Sequence, residues 1–481
     1  MSITSYWPAL LLVLVVLAAA CTARSGDSVG DQTTGSTEGR GATSDDDDAA
    51  GTTTTAENGP GTSFPPAPDV PEGPLDADII AVLDTYIENP AVPDLDSIRL
   101  IGASGDQRVL WFLSDIIRFA FDEVTHDTAT DAAAALSGLE LRSLVNPSWG
   151  TLTDNLIAWD LPAFPDYPRY KGAIFTAFEP GWQPFFDDTD SQINWRFTSW
   201  GGVRIDDRPL GDPNSCPEGC IPSLDDPELT PADEGDWYPD DAIVFGVQIG
   251  DDTVALPKNI MEVHEMVNAT IGGRLVAIPY CTLCGAAQVF YTDTDGGGTG
   301  QIVMRTSGLL HRSNKVMYDL TTQSVFDTFT GEAISGPLLD QGVTLDQATV
   351  VTSRWSDWRE AHPDTTIIAQ DGGIGRNYPL DPLRGRDDDG PIFPIGDSDG
   401  RLPVQEPILG VILPDGTPVA FPVAAALQVI DSGDTVSQDG ITLSRDAGGL
   451  VADVDGERVA SHQAFWFAWS QFHPDTVLWE A

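Results

Sequence analysis

Lysine is the residue that this sequence lacks most clearly. The 481 residues include 74 acidic and only 24 basic side chains, and three of the basic residues are lysines: Lys171, Lys258 and Lys315. The net charge of −50 excludes nonspecific binding to nucleic acid or to anionic lipid, because both attract positive charge. Such a surface is typical of proteins from salty habitats, where salt screens self-repulsion. A high-GC genome that favours Arg over Lys explains it equally well.

Long hydrophobic runs are also scarce, and the one at the N-terminus is short. Residues 9–20 form an apolar run that is too short for a comfortable membrane span and has the length of a signal-peptide core. Cys21 follows three alanines, which resembles the cleavage and lipidation site of prokaryotic lipoproteins, although no Lys or Arg precedes the run. We therefore expect a lipoprotein-type signal peptide over residues 1–21. An uncleaved anchor and a plain secretion signal are the alternatives.

Residues 22–75 contain almost no large apolar side chains. They are rich in Gly, Ser, Thr, Asp and Pro, and such a segment cannot bury enough surface to offset its ordering entropy. We expect a disordered acidic linker that tethers a folded body to the outer face of a membrane, at the cell surface or in a periplasm. The lipid anchor on Cys21 would make the membrane a partner. No nucleic-acid partner is expected, and the sequence does not identify a protein partner.

Cysteine is scarce too, and its spacing is informative. If Cys21 carries lipid, the other four of the five cysteines form two close pairs, Cys216/Cys220 and Cys281/Cys284. Outside the cytoplasm, close pairs tend to oxidise unless a metal holds them. Pro and Gly between Cys216 and Cys220 favour a structural disulfide there, with a metal pair as the alternative.

The rest of the chain divides by its patterning. Apolar residues at helical spacing predict a small helical region over 76–144. Residues 145–239 are rich in aromatic residues and proline, which predicts irregular structure around a core. From residue 240 onward, short alternating segments with turns predict strands. We expect an α+β fold with a mainly β core made of two related units, over 240–370 and 371–481.

The two predicted units share two sequence echoes. Residues 245–257 ("FGVQIGDDTVALP") resemble residues 409–422 ("LGVILPDGTPVAFP"), and each segment predicts a β-hairpin. Residues 358–365 ("WREAHPDT") resemble residues 469–476 ("WSQFHPDT"). These echoes predict an internal duplication in which only the first copy carries cysteines.

The run "PYCTLCGAA" carries the strongest chemical signal. Two thiols on one tight turn, followed by a Gly that allows positive φ, predict a knuckle at a hairpin tip. A short predicted helix in "NIMEVHEMVN" would deliver His264, and a His with two thiolates suits zinc or copper. A structural or redox-active disulfide and free thiols remain open for Cys281/Cys284. His264 could equally be a hydrogen-bonded structural residue.

Several motifs together resemble a secreted prokaryotic family known as domain of unknown function 3179. The resemblance covers about residues 195–481 and includes "VHEMVNATIGG", "PYCTLCG", "SGLLHRSNKVMYD" and the two "HPDT" turns. It implies that the recurring polar positions are His264, Glu265, Asn268, Tyr280, Cys281, Cys284 and Gly285. The family brings no established reaction, substrate or cofactor.

Together these patterns predict an extracytoplasmic, lipid-anchored protein whose site contains Cys281, Cys284 and His264. The site would bind a transition metal, zinc or copper, or act as a redox dithiol without a cofactor. Glu265, Asn268 and Tyr280 would surround it, with Glu265 orienting His264. The competing hypothesis is a noncatalytic surface protein with structural disulfides that binds a polymer or a partner. Whether the protein is an enzyme stays open.

Overall fold

The computed structural model describes residues 64–481 except 144–146, 215, 217, 294–300 and 386–389. The predicted signal peptide, Cys21 and most of the predicted linker lie outside the described residues. In the described part of the chain, no helix is both long and apolar enough to cross a membrane.

Helices dominate the first part of the described chain. The α-helices are α1 (Ala77–Ile87), α2 (Leu95–Gly102), α3 (Leu110–Phe119), α4 (Glu123–Ser137), α5 (Ser148–Ala158), α6 (Tyr167–Phe178), α7 (Gln183–Asp187), α8 (Lys258–His264), α9 (Pro337–Asp340), α10 (Trp355–Ala361), α11 (Val423–Asp431) and α12 (Trp466–Phe472). The side chains of Asp76, Asp94 and Asp122 accept backbone N–H bonds at the starts of α1, α2 and α4 and so cap them. Helices α1–α4 confirm the predicted helical region.

The predicted irregular segment is partly helical, which corrects the prediction for residues 145–239. Helices α5 and α6 span 11 and 12 residues. Pro168 lies in the first turn of α6, where a missing N–H costs nothing. The aromatic residues Tyr167, Tyr170 and Phe175 fall on one buried face of α6, so a helix accommodates them. Aromatic and proline content alone did not reveal this spacing.

The helical region shares its core with a β-sheet. Buried residues from Leu75 to Ile205 form one hydrophobic cluster with Leu309, Val316, Tyr318 and Val325. These last four residues lie in three neighbouring strands of one sheet, at residues 304–311, 314–319 and 325–326, so the helices pack directly on that sheet.

Strands account for most of the regular structure after residue 197. They are β1 (Thr198–Trp200), β2 (Leu224–Asp225), β3 (Leu229–Pro231), β4 (Ile243–Ile249), β5 (Asp252–Pro257), β6 (Met266–Ile271), β7 (Arg274–Cys281), β8 (Ala286–Ala287), β9 (Val289–Tyr291), β10 (Met304–His311), β11 (Asn314–Asp319), β12 (Val325–Phe326), β13 (Gln347–Ala348), β14 (Val350–Arg354), β15 (Thr366–Ile368), β16 (Pro407–Ile412), β17 (Pro418–Pro422), β18 (Val436–Gln438), β19 (Ile441–Asp446), β20 (Gly449–Val454), β21 (Glu457–Val459), β22 (Ser461–Phe465) and β23 (Val477–Leu478). The described chain is therefore α+β and mainly β beyond its helical region.

The strands form five sheets among the described residues. Their orders are β1-β10-β11-β12, β13-β9-β7-β6-β2 with β8 on β7, β14-β4-β5-β15-β3, β22-β16-β17-β23 and β18-β19-β20-β21. The order β14-β4-β5-β15 matches β22-β16-β17-β23 strand for strand, and in both sheets the last pair is parallel. The meander β6-β7-β9-β13 likewise corresponds in order to β18-β19-β20-β21.

The sequence echoes occupy equivalent places in the two matching sheets. A Cβ on Gly246 would lie 2.2 Å from the ring of Trp358, and one on Gly410 would lie 2.1 Å from the ring of Trp469. Each indole Nε1–H donates to a threonine hydroxyl, Trp358 to Thr365 and Trp469 to Thr476, at 2.9 Å in both cases. Each glycine thus leaves room for a tryptophan that is fixed by the "HPDT" turn.

Candidate functional site

The Cys281/Cys284 pair lies at a hairpin tip, as predicted. Cys281 ends β7 opposite Ala286 of β8, and the N–H of Cys284 donates to the carbonyl of Cys281 at 3.2 Å. Gly285 has φ of 59°, and a Cβ there would lie 3.0 Å from the ring of Phe465. Glycine therefore permits both the turn and the close approach of β22.

The two sulfurs face each other and a second hairpin. Their Sγ atoms are 2.7 Å apart, and both cysteines are free and buried. The carbonyl of Ser313 lies 3.8 Å from Cys281 Sγ and 3.7 Å from Cys284 Sγ. Asn314 Oδ1 lies 3.5 Å from Cys284 Sγ. Ser313 lies in the tight turn between β10 and β11, and Asn314 begins β11, so two hairpin tips meet at the thiols.

Lys315 brings a buried ammonium group to the same place. Its Nζ lies 3.0 Å from Glu265 Oε2 and donates to the carbonyl of Tyr280 at 3.2 Å and to that of Glu265. Thr282 Oγ1 donates to Glu265 Oε1 at 3.3 Å. Our sequence reasoning missed Lys315 as a site residue. The sequence signal that could have identified it is its rarity: Lys315 is one of only three lysines, and it lies inside the strand-like run "NKVMYD".

The two thiols differ in acidity. Burial and the charge of Glu265 act to raise the pKa of Cys281, but a hydrogen bond with Cys284 and the backbone N–H and charge of Lys315 outweigh them, so this pKa is lowered. Burial and the neighbouring Cys281 raise the pKa of Cys284 well above its ordinary value. The environment thus favours a thiolate on Cys281 and a protonated thiol on Cys284.

A cavity of about 270 Å³ leads to this cluster. Its polar lining includes Cys281, Thr282, Glu265 and Lys315, while Cys284 does not line it. The rest of the wall is largely apolar and includes Val203, Ile221, Leu283, Leu309, Leu310, Val316, Leu383, Ile392 and Phe393. A small molecule with an apolar body therefore meets Cys281 first.

The structure corrects the predicted centre of Cys281, Cys284 and His264. Both imidazole nitrogens of His264 are engaged elsewhere: Nδ1 lies 2.6 Å from the carbonyl oxygen of Pro222 and Nε2 lies 2.6 Å from Tyr378 Oη. Burial lowers the pKa of His264 to about 4. In the described ranges, the three residues do not form a group whose ligand atoms all lie within 4.8 Å. His264 is therefore the hydrogen-bonded structural residue that the alternative interpretation described.

The reason is the backbone between His264 and Glu265. Helix α8 ends at His264, and Glu265 adopts φ of 52°, which is a left-handed conformation. The chain reverses there, so Glu265 reaches Lys315 and Thr282 while His264 reaches Pro222 and Tyr378. Glu265 does not orient His264, and this part of the prediction is wrong.

Asn268 and Tyr280 have structural contacts. Asn268 Nδ2 donates to Asp225 Oδ1 at 2.9 Å and to the carbonyl of Met304 at 3.1 Å, and its Oδ1 accepts the N–H of Met304 at 3.1 Å. Asn268 thus ties β6 to β2 and β10. The ring of Tyr280 packs on Phe245 with centroids 4.7 Å apart, and only its carbonyl faces Lys315.

The other cysteine pair forms a disulfide, as predicted. Cys216 and Cys220 are bonded, with Cα atoms 5.3 Å apart. Together with Asp206 they form the one group of three or more His, Cys, Asp or Glu ligand atoms within 4.8 Å that the described residues contain. This cluster could hold a metal ion, but the disulfide occupies both sulfurs. Asp206 also pairs with Arg208, at 2.7 Å between Oδ1 and Nε.

Comparison with known proteins gives one match. Residues 218–453 match the family described as "Protein of unknown function (DUF3179)". No curated protein and no solved structure matches the chain.

Proposed function

Through residues 218–453 the chain belongs to the DUF3179 family of proteins of unknown function, and we propose that it is a thiol–disulfide exchange protein with Cys281 as nucleophile and Cys284 as resolving thiol. The observation that supports this most is the pair of sulfurs 2.7 Å apart beside a cavity that is lined by Cys281 but not by Cys284. The pKa of Cys281 is lowered and that of Cys284 is raised, so Cys281 is the better nucleophile and Cys284 stays protonated until the second step.

The exchange proceeds in two balanced steps. The Cys281 thiolate attacks one sulfur of a substrate disulfide, so a mixed disulfide forms and the other substrate half leaves as a thiolate. Cys284 then attacks Cys281 Sγ, which forms the Cys281–Cys284 disulfide and releases the second half. The substrate gains two electrons and the protein dithiol loses two. The proton of Cys284 passes to the departing thiolate. The reverse steps oxidise a substrate dithiol.

The surroundings of the thiols favour this chemistry over metal binding. The backbone N–H and the ammonium group of Lys315 lower the pKa of Cys281, which favours a thiolate. The imidazole that would complete a zinc or copper site is engaged with Pro222 and Tyr378. The residues around the thiols therefore fit a dithiol better than a transition-metal centre.

Reaction with dithiodipyridine, an apolar aromatic disulfide, tests the assignment of roles. We expect the full-length protein in a Cys21→Ser background, with Cys281 and Cys284 reduced and the Cys216–Cys220 disulfide intact, to release two thiopyridones and to end with a Cys281–Cys284 disulfide. The variants below carry the same Cys21→Ser substitution. Cys284→Ser should release one thiopyridone and retain a mixed disulfide on Cys281. Cys281→Ser should react far more slowly, because Cys284 is buried and does not line the cavity. Equal reactivity of the two single variants would overturn the proposal.

Metal and thiol contents distinguish the competing functions. Stoichiometric zinc or copper that is lost in Cys281→Ser would favour the metal centre instead. A Cys281–Cys284 disulfide that resists dithiothreitol in the folded protein would favour the noncatalytic surface protein. The Cys216–Cys220 disulfide is present in all variants, so intact-mass analysis after alkylation has an internal reference.

We further propose that the protein is extracytoplasmic and anchored by lipid on Cys21. The support is the apolar run over residues 9–20, the small residues before Cys21 and the acidic linker behind it. In the native host, Cys21→Ser should abolish labelling by radioactive palmitate and move the protein out of the membrane fraction. Unchanged fractionation and labelling would contradict the anchor.

We also infer that the β region arose by duplication of one unit. The support is the shared strand order of the matching sheets, the corresponding meanders and the equivalent glycine–tryptophan pairs. The β7–β8 tip with its thiols would correspond to the short turn between β19 and β20, which has no cysteine. The thiol site is thus an addition to one copy of a scaffold.

A further inference from the structure

Arg118, near the end of α3, is surrounded by aromatic rings. Its guanidinium carbon lies 4.2 Å from the ring centre of Trp149, 4.9 Å from that of Trp200 and 5.7 Å from that of Phe393. Nε and Nη2 both donate to the carbonyl of Trp200, at 3.0 and 2.7 Å. The contacts fix the plane of the guanidinium group, and cation–π attraction stabilises its charge.

No carboxylate of the described residues lies within ion-pair distance of Arg118. Nη1 likewise has no hydrogen-bond partner there. Most arginines of the described residues, such as Arg99 and Arg169, instead pair with neighbouring carboxylates. A fixed, partly buried guanidinium with a spare fork of N–H donors is suited to an oxyanion.

Arg118 lines a cavity of about 600 Å³. Trp149, Pro391 and Phe393 provide apolar walls, and Asp154 also lines it. One oxygen of Asp154, Oδ1, accepts the N–H groups of Ile395 and Gly396 at 2.8 and 3.0 Å. Asp154 therefore anchors the loop that forms one wall of the cavity.

The Arg118 cavity adjoins the thiol cavity. Ile392 and Phe393 line both, and Gly202, next to the Gly201 that lines the thiol cavity, approaches Arg118 Nη2, which a Cβ would meet at 3.6 Å. An elongated molecule could place an anionic end at Arg118 and extend an apolar body past Ile392 towards Cys281.

We propose that Arg118, Trp149 and Phe393 bind the oxyanion head of an amphipathic ligand, a carboxylate or phosphate on an apolar chain. The head takes two N–H bonds from the guanidinium group, and the chain packs on the aromatic and aliphatic walls. The direction of the chain towards Cys281 rests on the proposed thiol–disulfide exchange, whereas the anion site itself does not.

Calorimetric titration with octanoate, octyl phosphate and octanol tests the site. We expect both anions to bind and octanol to bind at least about tenfold more weakly, since a hydrogen bond to a charged group is worth about 1.5–3 kcal/mol. Arg118→Gln should reduce binding of the anions to the level of octanol. Arg99→Gln removes an exposed arginine that does not line the cavity and should leave binding unchanged. The tighter of the two anions identifies the head group.

Two results would overturn the proposal: equal binding of octanoate and octanol, or unchanged anion binding by a folded Arg118→Gln variant. Arg118→Lys keeps the positive charge but loses the paired N–H donors of the guanidinium group. We expect this variant to bind the anions with intermediate affinity. Its binding shows that a loss in Arg118→Gln does not come from misfolding. Octanoate should also slow the reaction of Cys281 with dithiodipyridine. If Cys281→Ser binds octanoate normally while the wild type shows no thiol exchange, the anion site stands and the proposed function fails.

Discussion

Lys315 and Glu265 form a charge pair that folding has removed from most solvent contact. Their side chains are 5% and 15% exposed, and the ammonium group also serves the carbonyls of Tyr280 and Glu265. Burying an ion pair costs desolvation energy that well-placed hydrogen bonds only partly offset. In the proposed thiol–disulfide exchange, Lys315 of this pair favours the Cys281 thiolate.

Replacing Lys315 with Met retains the length of the side chain and removes its charge. We expect alkylation of Cys281 to require higher pH, because the thiolate loses a stabilising charge. We also expect a loss of about 3 kcal/mol in the free energy of unfolding, since Glu265 is left without its partner. Iodoacetamide rates against pH and urea unfolding measure the two effects.

Lys258→Met is the matched control, because Lys258 pairs with Glu262 at 3.1 Å and its side chain is 31% exposed. Its alkylation profile should follow that of the wild type. If Lys315→Met has the same pH profile of alkylation as the wild type, Lys315 does not affect the acidity of Cys281.

At the scale of elements, two pairs of hairpins and helices repeat the same packing. In each matching sheet, a tryptophan ring from a short helix, α10 or α12, lies directly over a strand glycine, Gly246 in β4 and Gly410 in β16. The sheet and helix can approach closely only because that strand position has no side chain. This explains why the glycine and the tryptophan recur together in both sequence echoes.

Alanine at Gly246 or Gly410 should therefore destabilise the protein by overpacking. We expect each substitution to cost about 2–3 kcal/mol, with similar values at the two positions. Gly400→Ala is the control, since a Cβ there meets nothing within 4 Å. Urea unfolding followed by tryptophan fluorescence compares the three variants. A neutral Gly246→Ala or Gly410→Ala would contradict the packing described here.

At the scale of the whole molecule, the charge of −50 dominates. Like charges repel within the compact state, and dissolved salt screens that repulsion beyond about 10 Å at 0.1 M. Surface ion pairs between aspartate and arginine offset only part of this repulsion, because exposed ion pairs contribute little to the free energy of folding.

We expect the melting temperature to rise markedly when sodium chloride is increased from about 0.1 M to about 2 M, since screening lengths shorten to about 3 Å or less at such concentrations. Calorimetry at neutral pH measures the change. Sodium chloride also strengthens apolar burial slightly, so a parallel series in sucrose, which does not screen charge, is the control. A melting temperature that is independent of salt would contradict the effect.

Buried imidazoles make the fold sensitive to acid. Burial lowers the pKa of His264, His311 and His473 to about 4 and that of His462 to about 3. In the unfolded chain these groups titrate near pH 6.5. Between the two values the unfolded state binds more protons, so the free energy of unfolding falls as pH falls.

Stability should therefore be fully present above about pH 6.5 and decrease progressively towards pH 4. Urea unfolding over this range, in high salt so that changes in carboxylate repulsion are screened, measures the slope. His264→Gln should make the slope shallower, because one imidazole no longer titrates. A free energy of unfolding that does not change between pH 7 and 4 would contradict the lowered pKa values of the buried histidines.

The sequence by itself determined the local features whose cause is local. Spacing and turn chemistry placed Cys281 and Cys284 on one hairpin tip, paired Cys216 with Cys220, and marked the repeated Gly–Trp–"HPDT" elements. It did not reveal α5 and α6, where aromatic composition obscured helical spacing. Only the tertiary structure decided which residues accompany the thiols. Glu265 reverses the chain after α8 and turns His264 away, while the β10–β11 hairpin, over 30 residues further along, delivers Lys315. The neighbours of the thiols depend on how hairpins that are distant in sequence pack together. The residue pattern within one hairpin does not predict which other hairpin it will contact.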